Sequence, residues 1–254
     1  MTRWEEMAER WDAKQGETGD LWHRALIDPA LFALIGDPSG LRVLDLAAGN
    51  GYVARRLARS AGHVVALDRS RPILEVARRS YRASDREVEY VVGSATDLAM
   101  FRAAPFDLGV RDMALDDIDD AARALGEVSR VLTMAGRLVF TIAHSGFDMG
   151  DRSSWVIEPA GEPGGRPRIS RKVGRVREIF AGKVPWDGPT GTMWSTPSFH
   201  RPLPWYVRAL PSAGMMIDAI EKPAPDTEFI RSSPQGPGIA EIPLHLAIRA
   251  LRVR

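Results

Sequence analysis

Two carboxylates and two glycines stand where strand and helix patterns meet, and their spacing is suited to holding a ligand. Asp45 lies in a short apolar run, Gly49 and Gly51 follow it, and a helical pattern begins at Tyr52. Glycine permits a sharp turn and lets the backbone approach a ligand without a Cβ in the way. A helix that begins here directs its free amides at that ligand. Asp68 ends the next apolar run, at the same predicted edge.

Two classes of ligand are compatible with these glycines. Gly49-x-Gly51-x-x-Ala54 fits the dinucleotide fingerprint, with Asp68 near the position of the ribose-binding acid, so a nicotinamide-dependent oxidoreductase is one alternative. Asp45 favours the other class, because a carboxylate repels a pyrophosphate but attracts a ligand that carries an ammonium and a sulfonium. That pattern of charge indicates S-adenosylmethionine (SAM), and hence a methyltransferase.

Short apolar runs alternate with amphipathic ones between residues 40 and 144. The runs that predict strands are Arg42–Leu46, His63–Leu67, Val88–Val92, Phe106–Val110 and Arg137–Ala143. The runs that predict helices are Tyr52–Ser60, Pro72–Tyr81 and Ile118–Leu132. This alternation predicts an α/β fold with a Rossmann-like, doubly wound sheet, mostly parallel, whose ligands bind at the carboxyl ends of the strands.

The chain divides into four predicted segments. Residues 1–39 form an N-terminal helical flap with an amphipathic stretch at Trp4–Trp11, and residues 40–144 form the ligand-binding core. Residues 145–204, which are rich in Pro, Gly and Trp, form an inserted lid with strand-like pieces at Trp155–Glu158 and Val176–Phe180. Residues 205–254 complete the sheet, and their predicted elements are a helix at Trp205–Leu210, a strand at Met215–Glu221 and an antiparallel last strand at Ile242–Leu251.

Composition narrows the class of protein further. The 254 residues carry a formal net charge of +1 and include no cysteine, which excludes disulfides and thiolate chemistry. The first residues show no signal peptide, and no apolar run has the length of a membrane span, so we expect a cytoplasmic protein without a membrane partner. No spacing of His and carboxylates suits a catalytic metal, so we expect a metal-independent reaction.

Four ordered motifs resemble those of the class I SAM-dependent methyltransferases. The motifs are Asp45–Gly51, Ala66–Ser70, Phe106–Val110 and Glu127–Leu138. The last resembles the pattern E-x-x-R-V-L-x-P-G-G-x-L, with Met134 and Ala135 in place of Pro and Gly. The resemblance covers residues 40–144 and reappears at Phe199–Pro202 and Ala213–Met215. It implies SAM as cofactor and S-adenosylhomocysteine (SAH) as product.

The resemblance also assigns the cofactor contacts. The first loop would hold the methionine part, with Asp45 near its ammonium, and Asp68 would accept both ribose hydroxyls. Many members carry an aspartate on the adenine where this chain has Ser94, so either Ser94 or Asp97 takes that role. The full set of expected cofactor-binding residues is Asp45, Ala47, Gly49, Asn50, Gly51, Asp68, Arg69, Ser94, Ala95, Asp97, Arg111, Met113 and, from the flap, His23.

Two histidines are candidates for a general base. His144 closes the fifth predicted strand, and His200 lies where the chain returns from the lid. A base is required only if the acceptor loses a proton on attack, as a hydroxyl does. Both histidines could instead brace a loop, and Asp112 could orient an amine. We favour a small-molecule acceptor, with oxygen slightly ahead of nitrogen.

Other functions stay open at this stage. Basic residues in the lid, namely Arg166, Arg168, Arg171, Lys172, Arg175 and Arg177, suggest RNA, but no aromatic side chains alternate with them as base stacking requires. We therefore expect no nucleic-acid partner, and rank an RNA or protein methyltransferase below a small-molecule enzyme. A SAM-binding protein without catalysis is a further alternative, and a homodimer is one option for the oligomeric state.

Overall fold

A single mixed sheet carries the fold. The computed structural model describes residues 3–80, 88–162, 165, 167–187, 193–232 and 235–254. The strands of its main sheet are β1 (Arg42–Leu46), β2 (His63–Asp68), β3 (Val88–Val92), β4 (Phe106–Arg111), β5 (Leu132–Ala143), β10 (Met215–Glu221) and β11 (His245–Arg252). Among the described residues these strands follow the order β10-β11-β5-β4-β1-β2-β3. β11 runs antiparallel to both β5 and β10, whereas the other neighbouring strands are parallel. The predicted doubly wound sheet with an antiparallel last strand is confirmed.

Helices cover both faces of this sheet. They are α1 (Arg3–Glu6), α2 (Ala8–Gln15), α3 (Asp28–Ile35), α4 (Tyr52–Ala58), α5 (Arg71–Ser80), α6 (Ala121–Val131), α7 (Leu203–Ser212), α8 (Thr227–Ser232) and α9 (Gly236–Glu241), with a π-helical turn at His23–Ile27. Leu125 of α6 and Leu210 of α7 pack in one apolar core. Leu34 of α3 and Leu57 of α4 pack in the core on the other face. None of the helices in the described ranges is long and apolar enough to cross a membrane.

Several predicted boundaries differ from the observed ones. Helix α6 begins at Ala121 rather than at residue 118, because the Asp120 carboxylate caps it by accepting from the Arg123 backbone amide at 3.0 Å. β5 begins five residues early, at Leu132, and contains Ala135 in the left-handed region at φ 62°. The predicted helix end at Tyr81 lies outside the described residues.

The amphipathic stretch at the N-terminus is broken at Met7 into α1 and α2. At the other end of the chain, β11 begins at His245, because Ile242 still caps α9 by donating to the Gly238 carbonyl at 2.8 Å. Both departures concern ends of elements, where short local hydrogen bonds decide the outcome.

The lid contains two antiparallel hairpins within the described residues. β6 (Ser153–Glu158) pairs with β7 (Arg168–Val173), and β8 (Phe180–Asp187) pairs with β9 (Met193–His200). The predicted strand at 176–180 was wrong except at its last residue. Arg175 adopts a left-handed φ of 58°, and its carbonyl accepts from the Glu178 amide at 3.0 Å. That turn reverses the chain between the two hairpins.

Candidate functional site

The loop after β1 makes a tight turn at the carboxyl edge of the sheet, and three of its residues adopt the left-handed backbone conformation. Ala47, Gly49 and Gly51 all have positive φ, at 54°, 56° and 76°. The Ala48 amide donates to the Leu67 carbonyl at 3.0 Å, which fixes the loop against the end of β2. A Cβ at Gly51 would lie 2.7 Å from the Tyr90 ring, so a larger residue cannot occupy that position without displacing the ring. Glycine is therefore required at position 51 both by the turn of the backbone and by the packing of the Tyr90 ring.

Asp68 braces the same loop with both of its oxygens. Its carboxylate accepts from the Gly49 amide at 2.9 Å and from the Ser70 amide at 2.8 Å. Burial raises the pKa of Asp68, while these two backbone donors and the nearby Arg111 oppose the rise. The acid that was predicted to bind ribose therefore also fixes the conformation of the glycine loop.

Asp45 is the least satisfied group of the site. Its side chain is buried, at 2% exposure, and Oδ2 has no hydrogen-bond partner. Burial raises its pKa well above the usual value, and the neighbouring charges of Asp112 and Asp68 raise it further. A buried carboxylate with one unpaired oxygen, beside other carboxylates, is stabilised by a cationic ligand. The ammonium of SAM would supply that charge, so the donor set fits this cofactor.

A second carboxylate, Asp112, follows β4 and lies at the centre of a polar network. Its Oδ2 accepts from the Tyr52 hydroxyl at 2.6 Å, and its Oδ1 accepts from the Thr141 hydroxyl at 2.5 Å. The Tyr52 hydroxyl also lies 3.1 Å from Asp28 Oδ1. Burial and the charge of Asp112 raise the pKa of Asp28 to about 6. This corner of the site is rich in negative charge.

His23 brings the flap to this network. Its Nδ1 lies 2.7 Å from Asp20 Oδ1, and its Nε2 lies 3.6 Å from Asp112 Oδ2. Although burial opposes it, the carboxylates of Asp112 and Asp20 raise the pKa of His23. The flap thus places an imidazole between two acids that favour its protonated form.

Sequence reasoning missed the role of α2 in the site. The Asn50 amide donates to Asp12 Oδ1 at 2.9 Å and to the Gly16 carbonyl at 2.8 Å. A Cβ at Gly49 would lie 3.2 Å from Nε1 of Trp11. Asn50 was predicted to bind the cofactor, but its side-chain amide is directed at the flap. The amphipathic pattern of the N-terminus predicted packing without indicating this partner.

The residues predicted near the adenine differ in their exposure and in their hydrogen bonds. Ser94 Oγ lies 2.8 Å from Thr96 Oγ1, within its own turn. Asp97 is exposed, and its Oδ1 accepts from the Ala99 amide at 3.2 Å. Ala95 is buried in the core below them, while Arg69 is exposed. Local hydrogen bonds therefore occupy both polar candidates for the adenine.

Beyond β4, Arg111 and Met113 are fixed by their own local contacts. The Arg111 guanidinium is buried and donates through Nη2 to the Ala114 carbonyl, while its Nε has no partner. Burial lowers its pKa to about 10, against the opposing charges of Asp117 and Asp116. Met113 has a left-handed φ of 44°, and its amide donates to Thr141 Oγ1 at 2.8 Å. The prediction that these residues meet the cofactor through their backbone stays a prediction.

The two candidate bases lie at the junction of the core with the lid. His144 Nδ1 accepts from the Gly146 amide at 3.1 Å, and burial lowers the pKa of the ring. His200 Nδ1 lies 2.8 Å from the Glu178 carbonyl, and Nε2 lies 2.9 Å from the Ser145 carbonyl. Carbonyls only accept hydrogen bonds, so this geometry leaves His200 no nitrogen free to take up a proton. It fits a brace between the lid and the end of β5 rather than a base.

A cavity of about 280 Å³ opens beside these histidines, between the end of β5 and the second hairpin. Its apolar walls include Phe180, Met149 and Val184, and its polar walls include Ser145 and Asp116. Asp116 accepts from the Tyr206 hydroxyl at 3.0 Å and from the Ala143 amide at 3.0 Å. The surface of the cavity is mainly apolar, and charged side chains, among them Asp148, Lys183 and Arg201, also line it.

The basic run of the lid is only partly available to a partner. The side chain of Arg171 is 9% exposed and donates to the Phe147 carbonyl at 2.9 Å and to Ser153 Oγ at 2.8 Å. Arg168 and Arg175 are paired with Glu158 and Glu178. Arg166 lies outside the described residues. The run is thus tied to the lid itself at three of its positions.

Taken together, the glycine loop, Asp68 and Asp45 form a candidate site for a nucleotide-type ligand at the carboxyl edge of a doubly wound sheet. The sequence profile of a family described as a methyltransferase domain matches residues 44–140. The crystal structure of a SAM-dependent methyltransferase from Mesorhizobium loti is 26% identical and superimposes with a TM-score of 0.70, covering 88% of this chain and 96% of that one. Residues 44–140 therefore resemble a methyltransferase domain, and the chain has the class I SAM-dependent methyltransferase fold.

Curated relatives match over a shorter stretch. A demethylmenaquinone methyltransferase from Clavibacter sepedonicus is 44% identical over 101 residues, which are 40% of this chain and 40% of the relative. A ubiquinone biosynthesis O-methyltransferase from Xylella fastidiosa is 34% identical over 100 residues, which are 39% of this chain and 41% of the relative. The chain thus spans about two fifths of the length of these two curated relatives.

Proposed function

We propose that this protein is a cytoplasmic SAM-dependent methyltransferase that acts on a small hydroxylated acceptor without a metal. The observation that carries the proposal is the buried Oδ2 of Asp45, which has no partner beside a glycine loop braced by Asp68. When bound, SAM supplies an electrophilic methyl group. Asp45 attracts the ammonium, and Asp68 accepts hydrogen bonds from the ribose.

The protein contributes alignment and the exclusion of water. An in-line displacement depends on the distance and angle between the donor and the acceptor, so holding both is the main catalytic task. The flap covers the loop through Trp11 and Asp12, and the lid closes over the cavity that Phe180 lines. We propose that this cavity binds the acceptor as a flat ring, with its hydroxyl directed toward the sheet edge.

The name of one relative, a ubiquinone biosynthesis O-methyltransferase, supports a hydroxyl as acceptor. The name of another, a demethylmenaquinone methyltransferase, supports a quinone-type acceptor without specifying the atom that is methylated. The cavity is consistent with one ring or two fused rings, because its walls are largely apolar. The histidine predictions are refined accordingly. We propose that His200 braces the lid, and that His144 accepts a proton through Nδ1, the nitrogen that accepts from the Gly146 amide, because Nε2 carries the hydrogen of the neutral ring.

The test begins with the cofactor. Isothermal calorimetry should show binding of SAH and no binding of NADH, and the reverse result would overturn the proposal. Purified protein should then transfer labelled methyl from SAM to members of a panel of phenols, quinols and amines. SAH binding combined with failure across the whole panel would indicate a different acceptor class and overturn the aromatic part of the proposal.

A further inference from the structure

One face of α2 lies against the loop that we assign to the cofactor. Residue 15 is four positions after residue 11 and three after residue 12, so its side chain lies on the same side of the helix as theirs. Trp11 approaches Gly49, and Asp12 accepts from the Asn50 amide at 2.9 Å. Gln15, one turn after Trp11, is therefore placed beside the same loop.

The amide of Gln15 is only half satisfied. The residue is 2% exposed, and its Oε1 accepts from the Asp20 backbone amide at 3.2 Å. Its Nε2 is buried and has no hydrogen-bond partner. A buried amide donor without an acceptor is costly, because it gives up its hydrogen bonds to water and receives none in return. Such a donor indicates an acceptor that arrives from outside the chain.

The neighbouring groups specify the charge of that acceptor. Gln15 is bonded to Asp20, Asp20 is paired with His23 at 2.7 Å, and His23 faces Asp112 at 3.6 Å. At its flap end the network thus carries the unused amide donor of Gln15 and the imidazole of His23, which the Asp20 carboxylate accompanies. At its sheet end lies Asp45, whose Oδ2 has no hydrogen-bond partner. A ligand with a carboxylate and an ammonium on one carbon complements both ends.

We infer that Gln15 donates from Nε2 to a carboxylate oxygen at the amino-acid end of the cofactor. The inference rests on the proposed function, since it takes SAM as the ligand. On this inference, α2 contributes a direct contact to the cofactor and does not only shield the site from solvent. Docking of the flap and binding of the cofactor are then coupled, because the ligand supplies the acceptor that Gln15 lacks.

Two ligands separate this role from a structural one. SAH carries the carboxylate, whereas its decarboxylated analogue keeps the ammonium, the thioether and the nucleoside. In calorimetry, Gln15→Leu should weaken SAH binding about 10- to 100-fold and change binding of the analogue by less than about 2-fold. Gln15→Glu should weaken SAH binding at least as much, because it places a carboxylate against a carboxylate. Glu9→Gln, on the exposed side of α2, should leave both affinities unchanged.

Three results would overturn the inference. Equal losses for SAH and for the analogue would mean that Gln15 only supports the fold of the flap. Unchanged affinity of Gln15→Leu for SAH would mean that no contact is made. Failure of the wild-type protein to bind SAH would overturn the proposed function itself. If Gln15→Leu does not fold by circular dichroism, Gln15→Met provides the same comparison with an unbranched side chain.

Discussion

The carboxyl edge of the sheet and the lid differ in how their side chains are held. At the edge, Asp45, Asn50 and Asp68 are almost completely buried. Strand β6 of the lid, in contrast, has most of its side chains exposed. Buried polar groups with fixed partners tolerate little change, while exposed hairpins tolerate much. Under the proposed function, the difference teaches that the methyl donor would be held by buried groups of the sheet edge, and that acceptor choice would fall to the more exposed lid.

Replacing Asp68 with alanine should produce the largest effect. The change removes two hydrogen bonds to the ribose and the braces to Gly49 and Ser70, so SAH should bind at least about 100-fold more weakly in calorimetry. Asp218→Ala, which breaks an ion pair with Arg249 on the far strands of the sheet, is the matched control and should leave affinity unchanged. Equal affinities of Asp68→Ala and the wild type for SAH would contradict the proposal that the sheet edge, and not the lid, holds the cofactor.

Asp45→Asn should weaken SAH binding by about 10-fold, because an amide no longer attracts the ammonium. It should also make the unliganded protein harder to unfold at pH 8. A carboxyl whose pKa is raised on folding contributes stability that is present below its unfolded pKa of 3.8 and is lost as pH rises through the raised folded value. Asparagine avoids that loss. Weaker binding together with lower stability would contradict the assignment.

The same acid predicts a pH dependence of binding. Because burial raises the pKa of Asp45, its charged fraction grows as pH increases, and SAH affinity of the wild type should rise with it. The Asp45→Asn profile should be flatter over the same range. Identical profiles for the two proteins would assign the pH dependence to another group.

In the lid, His200→Gln should reduce turnover on the order of 10-fold and leave SAH affinity unchanged. Glutamine can donate to only one region of backbone at a time, so the link between the Ser145 and Glu178 carbonyls is weakened. The acidic limb of the pH–rate profile should remain in the variant. Its disappearance would instead identify His200 as the base.

The smallest effect should follow Trp186→Ala, at the contact of lid and flap. Trp186 meets Trp11 edge to face at 5.2 Å and Trp4 at 6.0 Å. Loss of these pairs should weaken SAH binding about 2- to 5-fold through a looser cover. A loss as large as that of Asp68→Ala would mean that the lid holds the donor as firmly as the sheet edge does.

The sheet and the glycine loop could be predicted because each depends on residue types within a short stretch of sequence. A buried parallel strand is a short apolar run, and Gly49 and Gly51 are required by backbone geometry that no other residue adopts easily. Asp68 followed from its position at a strand end. These features need no knowledge of distant contacts.

The rest depended on contacts between distant parts of the chain. Trp11 and Asp12 reach the loop only because α2 packs across it, and helical spacing alone does not identify what a helix face packs against. Ser94 and Asp97 were ambiguous because short polar side chains bond to their own turns as readily as to a ligand. The sequence could not show that the ring of His200 lies beside two carbonyls from distant parts of the chain, which favour a bracing role over that of a base.

The three tryptophans at the contact of flap and lid also make the protein its own optical probe. Trp4 and Trp11 lie 5.1 Å apart, and Trp186 completes the group. Indoles this close couple their electronic transitions, and the ammonium of Lys14 stands 4.5 Å from the Trp186 ring centre. Any separation of the flap from the lid should therefore change near-ultraviolet circular dichroism and fluorescence yield, with no label attached. Opening and closing during turnover can then be timed by stopped flow in the unmodified chain.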